Sequence, residues 1–176
     1  MTVSDLMLGY TPSAAFAGVA TADDFVLAID LSVDGTADVA DYEVVQAGIT
    51  NVDAQLSAET DEKTYIRQGK TTTKVGTQRT FNVGGDRMFG DAFQDFVLSH
   101  AIKFGTGQKV IRPYAYFSIL TGAGEKGTAS IIVNSDGSGE AGSTAEIDID
   151  IMATREPEEY TYGAGSAGEE ELPEGA

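Results

Sequence analysis

The chain has no cysteine, no tryptophan, one histidine (His100) and four prolines in 176 residues. Without thiols there is no disulfide, no thiolate zinc site and no cysteine nucleophile. A lone histidine excludes a multi-histidine metal site and leaves a Ser-His-Asp triad one possible base. Positive charge is scarce too: 11 Lys and Arg against 28 Asp and Glu give a net charge of −17. A field of that sign repels phosphate and disfavours ordinary nucleic-acid binding. No apolar run of about 18 residues occurs, and the opening MTVSDLMLGYTPSAAFAG lacks the basic start of a signal peptide, so neither a membrane span nor secretion is expected.

What is present suffices for one core. Hydrophobic residues make up 41% and aromatics 9% of the chain, enough to bury a domain despite 21 glycines. The charge is striped. Between Lys63 and Arg112 stand nine Lys or Arg against Asp86, Asp91 and Asp95, a net of +6, which leaves −23 on the rest. Opposed patches on one chain suit contact between copies of it, although exposed pairs contribute only about 0 to 1 kcal/mol each, so the stripe also fits plain solvated charge.

Phe25, Leu27, Ile29, Leu31 and Val33 alternate with smaller or polar residues, which predicts a strand ending at the Asp34-Gly35 turn. A second strand is predicted over Tyr42 to Gln46. Residues 49–62 are polar and aperiodic, as in a long loop or an extended hairpin arm, and the β-branched stretch TTTKVGTQRTFNV fits an exposed ribbon closed by Gly84-Gly85. One helix is predicted at about 87–102, capped by Asp86, with Phe89, Phe93, Phe96, Val97 and His100 on its stripe. Strands follow over 110–120, 128–134 and 145–153. In the last, Ile147, Ile149 and Ile151 face one way and Glu146, Asp148 and Asp150 the other. The fold class expected is α+β, mainly β: an antiparallel β-sandwich or barrel with one flanking α-helix and a long loop or hairpin arm. The expected divisions are an N-terminal arm (1–22), the β domain (23–162) and an acidic tail (163–176) too poor in apolar surface to order itself.

A search for chemistry returns little. Glu146, Asp148 and Asp150 recur at roughly 7 Å along one strand face, a spacing open to a metal or a glycosidase pair, but one strand cannot enclose a cation and a solvated face accounts for them. Asp136-Gly137-Ser138-Gly139-Glu140 reads as a turn rather than a calcium loop. His100 suits a helix-end or packing role. The glycines lack the order of a phosphate cradle. No catalytic residue, metal site or cofactor is expected.

Several ordered segments resemble the tail tube (major tail) proteins of long-tailed phages and prophages of Gram-positive bacteria. They are DYEVVQ (41–46), EKTYIRQG (62–69), TTKVGTQRTF (72–81), FGDAFQDFVLSHAIKFGTGQ (89–108), PYAYFSILTG (113–122), IIVNSDGSG (131–139), EIDID (146–150) and EYTY (159–162). The resemblance implies a small β-sandwich with a flanking helix, assembled as hexameric rings that stack into a hollow tube. It implies residence in the virion tail after synthesis in the host cytoplasm. The implied partners are further copies, the tape measure, tail terminator and distal tail proteins, with phage DNA passing through unbound. Segment 49–79 would be the arm that reaches the neighbouring ring, with Lys63, Arg67, Lys70, Lys74 and Arg79 meeting acidic surface there. Asp30, Glu146, Asp148 and Asp150 are candidates to line the bore, where fixed negative charge keeps a polyanion mobile. Two rivals remain: a β-sandwich adhesion or carbohydrate-binding module, which would usually present clustered exposed aromatics, whereas Trp is absent and Tyr114 and Tyr116 read more simply as packing residues on a strand, and a carboxylate hydrolase using Asp148 or Asp150 with another acid.

Overall fold

The computed structural model describes residues 1–163. Its strands are β1 (Phe25–Ile29), β2 (Glu43–Val44), β3 (Ile49–Tyr65), β4 (Gly69–Asp86), β5 (Ile111–Ser118), β6 (Ala123–Ser138), β7 (Glu146–Ala153) and β8 (Glu158–Thr161). All pair antiparallel in one sheet of order β2-β1-β5-β6-β7-β4-β3, with β8 added against β6. The fold is α+β and mainly β, as the alternating segments predict, but the sheet is open rather than closed into a barrel.

Period-two patterning decides which face is dry. On one face Leu27, Ile29, Phe81, Val83, Tyr114, Ile131, Ile147, Ile149 and Ile151 form the main core. Two short helices, α2 (Ala92–Val97) and α3 (His100–Lys103), cover it with Phe93, Val97 and Ile102. The alternate residues of β1 and β5, Val26, Ala28, Ala115 and Phe117, build a second core on the opposite face with Val3, Met7, Val39 and Val44. Helix α1 (Val3–Leu6) supplies Val3 to that core, and Thr2 caps it through a reciprocal hydrogen-bond pair with Asp5.

The single helix predicted at 87–102 is two helices, broken at Leu98-Ser99. Ser99 is extended (φ −64°, ψ 152°) and opens α3, so the stripe of steps of three and four does not run unbroken. Residue 86 ends β4 instead of capping a helix. The cap is Asp91, whose carboxylate accepts the Gln94 N–H at 2.9 Å after a turn in which Gly90 takes φ +89°. Phe89 therefore lies outside the helix, 86% exposed, with the Arg87 guanidinium over its ring. His100 is exposed against Phe104, with ring centroids 4.8 Å apart.

Of the two alternatives for residues 49–62, the structure has the extended hairpin arm and not the loop. β3 and β4 pair from Ile49↔Gly85 to Tyr65↔Gly69. Only Thr80–Asp86 of β4 finds a third strand, in β7. Past that point the two strands continue alone as a twisted ribbon whose β3 arm, from Leu56 to Tyr65, spans about 30 Å at the usual strand rise. At the opposite, body end of the pair stands Gly85, where a Cβ would run into the Gly48 carbonyl oxygen.

Candidate functional site

Two features stand out, the ribbon and the outer face of β4 and β7. At the ribbon tip Tyr65, Ile66 and Arg67 are exposed, Ile66 at 90%. Arg67 has φ +67°, the only left-handed non-glycine among the described residues, and Gly69 follows at φ +79°. Lys63 pairs with Asp61 at 3.1 Å and Lys70 with Glu62 at 2.7 Å. Arg67 and Lys74 make no ion pair among the described residues. These four cations lie together on the ribbon, as the sequence suggests.

The fifth cation does not join them. Arg79 is 8% exposed; its Nε donates to Glu125 Oε1 at 2.7 Å, and its guanidinium lies 4.7 and 4.9 Å from the Phe81 and Tyr116 ring centroids. Position 79 is level with the edge of the body, where the ribbon meets β6 and the cation is drawn into the fold. Glu125 Oε1 also accepts the Tyr114 hydroxyl at 3.4 Å. Burial, and then that carboxylate, raise the Tyr114 phenol above its ordinary range, and Arg79 opposes the rise. Tyr114 is fully buried and Tyr116 stacks on Phe25 at 5.7 Å, so both are packing residues rather than a sugar platform.

The bore candidates separate in the same way. Asp30 is 1% exposed, and its two carboxylate oxygens accept the backbone N–H groups of Ser32 (2.7 Å) and Ala37 (3.1 Å). It organises the 30–37 turn from beneath the second core and lines nothing open. Asp148 and Asp150 do share an outer face. Asn82 Nδ2 donates to both, at 3.0 and 2.9 Å, and Asn134 Nδ2 donates to Asp150 at 2.8 Å. Glu146 lies on the same face, exposed, opposite Asp86.

The register extends this face to a residue that composition does not single out. Asp53 pairs with Asn82, which pairs with Asp150, and directly opposed residues share a face. Asp53 is held by Gln55 Nε2 at 2.6 Å. Three carboxylates are thus fixed by side-chain amides rather than by cations, and continuing along β3 the same side carries Ser57, Glu59 and Asp61. Among the described residues no group of three or more histidines, aspartates or glutamates is gathered as metal ligands. Near this face Asp136, in β6, is held below its usual range by the hydrogen bond from Lys103.

No protein-family model matches the chain, and no curated protein matches it. Solved structures do. The chain is similar to one from the tail of an empty gene transfer agent particle, refined with helical and C6 symmetry (TM-score 0.55, 16% identity, 81% of this chain and 99% of that one). It is similar in the same degree to one from the virion of the native gene transfer agent particle (TM-score 0.55, 14% identity, 81% and 100%). At this identity what is shared is the fold.

Proposed function

We infer that the chain is a structural, non-catalytic tail tube subunit of a long-tailed phage or prophage, of the Gram-positive type its segments resemble. Six copies close a ring, and rings stack into a conduit for DNA. The fold shared with a six-fold symmetric tail supports this reading. The observation that carries it is the ribbon. A two-stranded hairpin standing alone is marginally stable in water, so about 30 Å of it is maintained at a cost unless a neighbour covers it. Lying against the next ring, Lys63, Arg67, Lys70 and Lys74 meet acidic surface of another copy. The sheet also ends in an open edge at β3, which ring closure would occupy, whereas Met1–Val3 already pair along the β2 edge.

The amide-held face of Asp53, Asp148 and Asp150, with Glu146, lines the bore in this reading. Amides orient carboxylates without neutralising them, so the wall repels phosphate and no counterions are released to hold the DNA. The expected arm of residues 1–22 shortens to 8–22, because Val3 and Met7 are packed in the second core: Leu8, Tyr10, Phe16 and Val19 are exposed, Val19 at 94%, on a stretch from Leu6 to Ala22 without a charge. The acidic tail lies outside the described residues save Gly163. The tape measure, terminator and distal tail proteins would be the tube's further partners, in a virion whose parts are made in the host cytoplasm.

Electron microscopy of the concentrated purified chain tests the reading. Rings or hollow filaments are expected, and Lys70→Glu with Lys74→Glu should shorten filaments while leaving far-UV circular dichroism unchanged. A chain that stays monomeric at all salt and protein concentrations, alone and beside a preformed tail tip, would sink it.

A further inference from the structure

The place where the ribbon leaves the body is a groove of about 540 Å³. Leu56, Val75 and Pro157 line it with apolar surface, and the charged side chains in its lining are Glu125, Glu156, Arg79 and Lys74. Val75 is there because of a bulge: the register steps from Glu59↔Gly76 to Thr60↔Lys74, which leaves Val75 without an opposite residue and turned to water, 58% exposed. Leu56 is 64% exposed beside it. The Glu125 carboxylate is occupied by Arg79, whereas Glu156 makes no ion pair among the described residues.

The tip of the ribbon offers the complement. Ile66 stands out at 90% exposure, and Arg67 next to it makes no ion pair among the described residues. Arg67 also holds a left-handed backbone at φ +67°, a conformation glycine takes freely and an arginine takes at a cost, in a turn that presents its neighbour outward. The apolar side chain and free cation of the tip match the apolar lining and the free carboxylate of Glu156 at the root, where Lys74 is the remaining free charge. They cannot meet within a chain, because about 30 Å of ribbon separates them.

We propose that the tip of each ribbon docks in the root groove of the next copy, Ile66 on Leu56, Val75 and Pro157, and Arg67 on Glu156. The proposal rests on the tube reading and names the contact through which its copies stack. Two different patches meet, so the contact is head-to-tail and propagates instead of closing a pair, as an open filament requires.

The cysteine-free chain makes the test direct. Full-length Ile66→Cys and Val75→Cys proteins, one carrying a mass tag, are mixed where the unaltered chain assembles, and are oxidised. The mixed covalent dimer should exceed either like-with-like dimer by about tenfold or more. Independently, Arg67→Glu and Glu156→Arg should each raise the protein concentration needed for assembly about tenfold, and the two together in one chain should restore it to within about threefold. Unhindered assembly of both single variants with no excess of the mixed dimer overturns the docking and leaves the tube standing. So does weakened assembly that the double change fails to rescue, which puts the tip on another surface, such as that of a different protein. If the unaltered chain never assembles, the tube reading falls and this contact with it.

Discussion

β3 and β4 are each two regions in one strand. In the body, Phe81 and Val83 of β4 are fully buried between β7 and the helices, and every backbone group of Thr80–Asp86 has a partner on one side or the other. Ten residues along the same strand, Thr71, Thr72 and Thr73 face water on both sides, with only β3 beside them. Pairing with β3 runs through both halves with one register shift in each, at Ile49/Asn51 and at Glu59/Thr60, so it is not what distinguishes them. Burial is. The body half carries the stability of the monomer, and the ribbon half has surface left over for something else.

Hydrogen exchange on the monomer should show the largest contrast. Amides of Thr71–Lys74 open locally at a cost near zero, whereas those of Phe81 and Val83 exchange only on global unfolding, a gap of about 5 kcal/mol or more within one strand. Equal protection along β4 would mean that the ribbon is ordered by the body after all. Next in size, Phe81→Ala should cost about 3 to 5 kcal/mol in denaturant unfolding of the monomer, because it empties a fully buried site among Tyr114, Tyr116 and Arg79.

Arg79 sharpens the boundary between the two regions. Arg79→Ala leaves Glu125 and the Tyr114 hydroxyl without their cation at the point where β4 leaves the sheet, and should cost about 2 kcal/mol, with the Glu125 side chain still 23% exposed and able to recruit water. A loss no larger than that of a ribbon lysine would return Arg79 to the ribbon.

The same contrast explains what could be read from the sequence. Strands buried on one face announced themselves by alternation, as with Ile147, Ile149 and Ile151, because one side had to be dry. The ribbon is wet on both sides, so residues 49–62 have no pattern to keep and leave loop and hairpin arm as open alternatives; only β-branched content on the returning strand favours the arm. Asp30 alternates correctly with Val26 and Ala28, but that face carries a second core made by distant Val3, Met7 and Val39, which no local window contains. Asp53 was missed because its place beside Asn82 and Asp150 depends on hairpin register. The break at Ser99 likewise left no local mark, since Ser is tolerated within helices and begins them equally well.

The smallest effect lies on the ribbon itself. Glu62→Gln removes the partner of Lys70, and both side chains are about half exposed, so monomer stability should change by no more than about 0.5 kcal/mol. Assembly should respond in the other direction. Freed from Glu62, Lys70 has its whole charge to offer an acidic neighbour, so filaments should form at lower protein concentration, and the gain should fade as salt shortens the screening length. A ribbon that served only its own chain would show neither change, whereas a ribbon whose cations meet other copies must show the second without the first.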